Sequence, residues 1–174
     1  MKYKTIAADP PWPEKKSVLW GRQRAADVYP LMTVEEICKL PVGQLGDENS
    51  HLWLWTTARF IDTAIREVVP AYGFEYKGIV TCCKMQLGVG RYLRTNTEFL
   101  VFAARNNMIT LHKGIPTWFT APRGKHSVKP EESYRIIELA SPPPRIELFA
   151  RKPRSGWDVW GLDVESDITL EASE

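Results

Sequence analysis

Five short runs of the chain are rich in β-branched and aromatic residues, which is typical of strands. They lie at residues 3–8, 51–55, 76–83, 98–104 and 145–150. Between most of these runs, apolar and polar positions follow the spacing of an amphipathic helix, about 3.6 residues per turn. The pattern predicts strands and helices that take turns along the chain.

Three helices are predicted between these strands. A capping box at residues 33–36 begins the first helix, which should run to about Leu40. Thr57 can cap the second helix, and Pro70 should end it because proline lacks the N–H that a helix interior needs. Pro130 suits the first turn of the third helix. This alternation predicts an α/β fold, with a mostly parallel sheet flanked by helices on both faces.

Ligands of such a sheet bind beyond the carboxyl ends of its strands. Asp9, Pro10, Pro11 and Trp12 follow the first predicted strand directly, and residues 151–161 follow the last one. We therefore expect the chemistry of this protein at that edge of the sheet.

Composition describes an ordinary globular chain of 174 residues, with 44% hydrophobic and 25% charged residues. This length suits a single domain. No apolar run is long enough to cross a bilayer, and the first residues do not resemble a signal peptide, so we expect a cytoplasmic protein. The three cysteines, Cys38, Cys82 and Cys83, have neither zinc-ligand spacing nor the number of a disulfide framework. We predict no metal site.

Charge is unevenly distributed, although the net charge is only +2. Basic residues concentrate in the segments 15–24, 113–129 and 151–154, and acidic residues concentrate after Gly161. Such segregation would suit a site that faces phosphates. Any one of these runs, taken alone, is equally well explained as a solvated loop.

The segment Asp9-Pro10-Pro11-Trp12 has the functional groups that methylation of an adenine amine requires. The N6 lone pair is delocalised into the ring, so hydrogen-bond acceptors must draw the amine toward tetrahedral geometry. The Asp9 carboxylate and the Pro10 carbonyl are suitable acceptors, and Asp9 can also help to remove the proton. Pro11 would fix the loop, and the Trp12 ring could stack on the base. The alternative is a proline-rich turn whose tryptophan only packs.

Six short motifs resemble those of a known family. They are DPPW at 9–12, YPLM at 29–32, LWLW at 52–55, SVKP at 127–130, IELFAR at 146–151 and GWDVWG at 156–161. In this order they resemble the MT-A70 family of N6-adenine methyltransferases, from Asp9 to about Val164. The resemblance implies a Rossmann-like class I methyltransferase fold with a permuted motif order and S-adenosyl-L-methionine as cofactor. It implies a methyltransferase domain over residues 1–164 and an acidic tail over residues 165–174.

The resemblance also implies roles for individual residues. The catalytic loop is Asp9, Pro10, Pro11 and Trp12. The cofactor-binding residues are Asp9, Pro10, Tyr29, Lys129, Glu147, Arg151 and Asp163. The substrate-binding residues are Trp12, Tyr29, Lys15, Lys16, Arg22, Arg94, Glu98, Arg123 and Lys125. As alternatives, Lys129 could simply begin a helix, Tyr29 could be a packed aromatic, and Glu98 could belong to a surface ion pair.

The chain departs from the family in two ways. Family members commonly have asparagine after the last Trp-Gly, whereas this chain has Leu162 and then Asp163. We expect Asp163 to take over the missing hydrogen bond. In addition, the chain begins almost at the catalytic strand, so a segment that contacts the cofactor in longer members is missing. Both departures bear on cofactor affinity and not on the type of reaction; affinity should be lower unless Asp163 forms the missing hydrogen bond.

The expected substrate is adenine in nucleic acid, either flipped out of a duplex or single-stranded. The short form resembles bacterial and phage members, which favours DNA over RNA. The same resemblance predicts a homodimer, or a heterodimer with a related subunit, through the loop at residues 85–95. Because no separate target-recognition domain is visible in the sequence, we predict low intrinsic sequence selectivity, or selectivity supplied by a second subunit. Two other functions stay open: a non-catalytic nucleic-acid-binding subunit of a methyltransferase complex, and a methyltransferase that acts on a protein amide or a small molecule.

Overall fold

The computed structural model describes residues 1–13, 30–88, 92–121 and 129–170. Within these ranges, seven strands form one sheet. The strands are β1 (Tyr3–Ala8), β2 (Gly46–Thr56), β3 (Glu75–Lys84), β4 (Thr97–Ala104), β5 (Trp118–Ala121), β6 (Arg145–Leu148) and β7 (Asp158–Trp160). Their order across the sheet is β5-β3-β4-β2-β1-β6-β7.

The sheet is mostly parallel, as the sequence predicts. Strand β4 is antiparallel to its two neighbours, β2 and β3. All other neighbouring strands pair in parallel, so six strands point in one direction. Their carboxyl ends meet at one edge of the sheet, which is where an α/β protein binds its ligands.

Helices cover both faces of the sheet. They are α1 (Val34–Lys39), α2 (Val42–Leu45), α3, which has three parts (Ile61–Thr63, a π-helical turn Ala64–Val68, and Val69–Ala71), and α4 (Glu131–Ala140). Because side chains alternate along a strand, Ile6 and Leu52 pack in one core with α1 and α3. Ala7 and Trp53 pack in a second core with α4 on the opposite face. The Rossmann-like α/β prediction is confirmed.

The capping box at the start of α1 is confirmed. The Thr33 hydroxyl accepts the Glu36 N–H at 3.2 Å, and the Glu36 carboxylate accepts the Thr33 N–H at 2.7 Å. These two bonds satisfy backbone donors that the first turn of a helix leaves without partners.

The predicted ends of α3 are wrong. Thr57 does not cap this helix; its carbonyl accepts the N–H of Phe60 in a turn that precedes it, and the helix begins at Ile61. Pro70 does not end the helix either, because α3 continues to Ala71. The π-helical turn changes the bonding just before Pro70, where the Val69 N–H reaches back to the Ala64 carbonyl.

Two strands, β5 and β7, were not among the predicted ones. They have 4 and 3 residues, which is too short for a period of two to stand out from a loop. The last predicted strand ends two residues early, at Leu148, because Phe149 has a φ of 64° and cannot continue it.

Part of the segment after residue 164 packs on the domain. Ile168 contacts one core, and Leu170 is buried in it. The division into a domain and an acidic tail stays a prediction. Among the described residues, no helix is long and apolar enough to span a membrane.

Candidate active site

The carboxyl-end edge of the sheet brings together most of the predicted site residues that the structure describes. Asp9 follows β1, Arg151 lies just beyond β6, and Asp163 lies just beyond β7. Because β4 runs in the opposite direction, its first residues reach the same edge, and Glu98 is one of them. Lys129 lies directly before α4. Residues that are distant in the sequence therefore meet at one place.

Lys129 links two carboxylates of the site. Its Nζ lies 2.8 Å from Asp9 Oδ2 and 4.4 Å from the centre of the Trp55 ring. The Lys129 side chain is only 14% exposed, so this ion pair is screened little by water. Burial favours the neutral form of Glu98, but the charges of Lys129 and Lys84 outweigh it and lower the pKa of Glu98. Lys84 also donates a hydrogen bond to the Glu98 carboxylate.

Backbone hydrogen bonds fix the loop that follows β1. The Asp9 N–H donates to the Leu148 carbonyl at 3.4 Å, and the Trp12 N–H donates to the Pro10 carbonyl at 2.9 Å. The Pro11 carbonyl accepts the N–H of Met32 at 3.0 Å. A carbonyl oxygen has two lone pairs, so Pro10 keeps one for another donor. The loop thus presents the Asp9 carboxylate on a rigid backbone.

The Trp12 ring lies in the protein core. It is 6% exposed, stacks on Phe60 with a ring distance of 5.4 Å, and donates its N–H to the Trp55 carbonyl at 2.9 Å. This position does not favour the predicted stacking on a base. It indicates that Trp12 anchors the loop after β1, which agrees with the alternative of a packed tryptophan.

A pocket opens beside Asp9. It is lined by Asp9, Pro11, Pro30, Phe149, Ala150, Arg151 and Leu162. Sequence reasoning did not single out Phe149, whose left-handed backbone is costly for a residue with a side chain and is typical of functional sites. Its ring packs edge-on against Trp160 at 5.2 Å. The IELFAR motif contains Phe149, but a positive φ cannot be read from it.

The rim of the pocket carries an ion pair. Arg151 Nη1 lies 3.3 Å from Asp163 Oδ2, and the Arg151 side chain is 23% exposed. Leu162, next to Asp163, is 77% exposed although it lines the pocket. The departure from the family pattern at Leu162 and Asp163 therefore lies on the rim itself.

Glu147 lies behind this edge, outside the residues that line the pocket. It is 9% exposed and accepts a hydrogen bond from the Tyr134 hydroxyl at 2.7 Å. Burial raises the pKa of Glu147, and the nearby charge of Asp9 adds to this increase. The Arg154 guanidinium lies 3.7 Å from the centre of the Tyr134 ring. The contact between Tyr134 and Glu147 had no signal in the sequence.

Seven predicted residues remain, and only one of them, Arg94, is described by the structure; it does not line the pocket. Arg94 lies in the exposed loop before β4. Six more, Lys15, Lys16, Arg22, Tyr29, Arg123 and Lys125, lie outside the described residues. Across residues 1–13, 30–88, 92–121 and 129–170, no three His, Cys, Asp or Glu side chains come together as metal ligands do.

The chemistry of the pocket residues fits an amino-acid nucleoside cofactor. The carboxylate of Asp9 can accept from an ammonium group, and the guanidinium of Arg151 can donate to hydroxyl or carboxylate oxygens. Phe149, Leu162 and the two prolines offer apolar surface to a planar ring.

Comparisons with known proteins agree with this geometry. A family model described as MT-A70 matches residues 3–163. The type II methyltransferase M.MunI from a Mycoplasma species is 31% identical over 186 residues, which cover 94% of this chain and 78% of that protein. The human N(6)-adenosine-methyltransferase catalytic subunit METTL3 is 28% identical over 160 residues, covering 86% of this chain and 26% of METTL3. The N6-methyladenosine RNA methyltransferase MTA1 of Pyricularia oryzae is 27% identical over 187 residues, which cover 93% of this chain and 47% of MTA1. The chain therefore spans most of the first relative, about a quarter of the second and about half of the third.

Proposed function

The chain is a methyltransferase of the MT-A70 family, and from its site we propose that it transfers the methyl group of S-adenosyl-L-methionine to the N6 amine of adenine in nucleic acid. The observation that carries this proposal is the Asp9 carboxylate, held by Lys129 at 2.8 Å on a rigid loop beside a pocket. The carboxylate has two oxygens, and Lys129 contacts one of them, Oδ2.

Asp9 and Pro10 prepare the nucleophile in this proposal. When the Asp9 carboxylate and the Pro10 carbonyl accept the two N6 hydrogens, the nitrogen lone pair is withdrawn from the ring and becomes available for attack. The cofactor supplies a methyl group on a positively charged sulfur, which leaves as a neutral thioether. The nitrogen becomes positively charged as the new N–C bond forms, and the nearby carboxylate stabilises this charge. Asp9 then accepts the proton that the nitrogen loses.

The other residues of the site serve binding. Phe149 and Leu162 offer apolar surface to the cofactor nucleoside, while Arg151 and Asp163 form the polar rim. Lys129 keeps the Asp9 carboxylate in position, and its charge also lowers the pKa of Glu98 and so favours the ionised carboxylate. Glu98 lies on the side of Asp9 where we propose the adenine to bind.

We favour DNA over RNA as the polymer. This chain covers 78% of the type II methyltransferase M.MunI, whereas it covers only 26% and 47% of the two relatives named as acting on adenosine or RNA. Adenine must leave a duplex to reach Asp9, so a flipped or single-stranded base is the substrate. The predicted basic segments, 15–24 and 113–129, would hold the phosphates, which makes binding salt-dependent.

We also propose that the active form contains a second subunit, either another copy or a related chain. The loop after β3 exposes four large apolar side chains: Met85, Leu87, Tyr92 and Leu93. Exposed apolar groups concentrated in one loop are typical of protein contact surfaces.

The test is methyl transfer by the purified protein to single- and double-stranded DNA and RNA, with labelled S-adenosyl-L-methionine and mass spectrometry of the digested nucleosides. We expect N6-methylated deoxyadenosine, and its loss in Asp9→Ala and Asp9→Asn. Asp62→Ala, which removes an exposed carboxylate from α3, is the matched control and should keep full activity.

Each other outcome has a distinct meaning. Methylated adenosine from RNA alone would reverse the choice of polymer. Cofactor binding without transfer to any of the four substrates would favour a non-catalytic subunit or a different acceptor. Equal activity of the wild-type protein and Asp9→Ala would contradict the assigned role of Asp9.

A further inference from the structure

The residues that follow β7 turn back and run along its free edge. We call residues 161–170 the strap. Strand β7 is the last strand of the sheet, so only one of its sides is paired with a neighbouring strand, β6. Exposed strand edges carry unsatisfied backbone groups. The strap covers this edge at its centre, Val159.

Asp167 attaches the strap to β7 through two hydrogen bonds. Its N–H donates to the Val159 carbonyl at 2.9 Å, and its carboxylate accepts the Val159 N–H at 2.8 Å. The second bond involves a charged acceptor, which makes it stronger than a bond between neutral groups. Ser166 adds a weaker link, because its hydroxyl lies 3.2 Å from the Gly161 N–H.

Both ends of the strap are fixed. At the start, a Cβ atom on Gly161 would lie 2.3 Å from the Ala150 carbonyl oxygen, so only glycine allows the chain to pass this close to Ala150, the second residue after β6. At the other end, Leu170 is buried in the core and Ile168 packs against it. The residues between these two anchors form a turn whose shape depends on Ser166 and Asp167.

The tip of this turn is the rim of the pocket. Leu162 lines the pocket, and Asp163 pairs with Arg151, which lines it too. Both residues are exposed, so packing alone does not hold them in place. Their position is limited by the Arg151–Asp163 ion pair and by the contacts on either side of the turn.

We propose that the strap positions the rim of the cofactor pocket, and that Asp167 is a positioning residue for cofactor binding. Asp167 acts through Val159 and the turn, without contacting the cofactor. The cofactor half of this inference rests on the proposed function. It gives the acidic C-terminal segment a specific role at the site.

The test compares Asp167→Ala with Asp167→Asn and with Glu165→Ala, a change at an exposed acidic residue of the same turn. Binding of S-adenosyl-L-methionine is measured by calorimetry, and amide hydrogen exchange is measured for residues 161–164. We expect Asp167→Ala to raise the dissociation constant about tenfold, equivalent to about 1.4 kcal/mol, and to speed exchange at the rim. Asparagine keeps an oxygen that can accept the Val159 N–H, so Asp167→Asn should stay close to the wild type, as should Glu165→Ala.

Unchanged cofactor binding by Asp167→Ala would overturn the proposal, and so would weaker binding without faster exchange at the rim. If Asp167→Ala does not fold, the milder Ser166→Ala must show the same pair of effects at smaller size. Failure of the wild-type protein to bind the cofactor would contradict the proposed function instead. Amide exchange at residues 161–164 would then test, by itself, whether Asp167 positions the rim. Equal exchange rates in Asp167→Ala and the wild type would overturn that role.

Discussion

At the scale of single residues, Lys129 has the most consequences for the site. One ammonium group pairs with Asp9, lowers the pKa of Glu98 and lies over the Trp55 ring. These contacts come from three strands and the start of a helix, so no sequence motif contains them together. The SVKP motif identified Lys129, but it could not show that Asp9 is its partner.

We expect Lys129→Met to lower kcat/KM by about 10²-fold, the size typical for removal of one charged or hydrogen-bonding group from a catalytic site. Without the ammonium, the Asp9 carboxylate loses its ion pair and with it its fixed position. Methyl transfer by Lys129→Met is compared with that by Lys39→Met, a lysine on the surface of α1. Equal rates for the two variants would mean that Lys129 only begins a helix.

At the scale of elements, the sequence predicts the regular parts of the fold and misses the parts decided by distant contacts. Strands β1 to β4, β6 and the start of α1 follow from apolar patterns and a local capping box. The ends of α3, the short strands β5 and β7, and the left-handed Phe149 do not, because they depend on neighbours elsewhere in the fold. For the site, motif order indicated the loop after β1 as the candidate catalytic loop, while the burial of Trp12 and the contact of Tyr134 with Glu147 appear only in three dimensions.

Arg105 shows how strongly such distant contacts hold the elements together. It lies directly after β4 and donates to the carbonyls of Tyr72 at 2.9 Å, Gly73 at 3.1 Å and Gly43 at 3.1 Å. Its guanidinium also lies 4.5 Å from the centre of the Phe74 ring. One side chain thus ties α2 and the end of α3 to the sheet. Arg105 was not singled out in the sequence.

We expect Arg105→Met to lower the free energy of unfolding by about 3 kcal/mol, because hydrogen bonds from a charged donor contribute about 1.5–3 kcal/mol each and are not fully additive. Urea unfolding measures the change. Arg66→Met is the control, since Arg66 forms an exposed ion pair within α3 and should contribute little. A similar small effect for both variants would show that water replaces the contacts of Arg105 without loss.

At the scale of the whole molecule, the two ends of the parallel strands have different roles. The carboxyl ends carry the proposed chemistry, and the opposite end of the sheet carries a buried polar network around His51. His51 is fully buried; its Nδ1 lies 2.8 Å from the Ser141 hydroxyl, and its Nε2 lies 3.0 Å from the Met108 carbonyl. The Trp53 N–H donates to the same hydroxyl at 2.9 Å. The network joins β2, the loop after β4 and the end of α4.

This network predicts that the fold loses stability in mild acid. Burial lowers the pKa of His51 below its usual value of 6.5, so below about pH 6.5 the unfolded chain binds a proton that the folded chain does not, and protons favour unfolding. We expect urea midpoints to fall between about pH 7.5 and pH 5.5, and His51→Gln to reduce this pH dependence. The pKa of Glu98 is also lowered, so the stability that its carboxylate contributes is lost only below about pH 4.5, in a separate pH range.

His112→Gln, at an exposed histidine, is the control. An unchanged pH dependence in His51→Gln would assign the acid sensitivity to other groups. Because His51 lies at the opposite end of the sheet from Asp9, methyl transfer per folded molecule should not follow the same pH dependence.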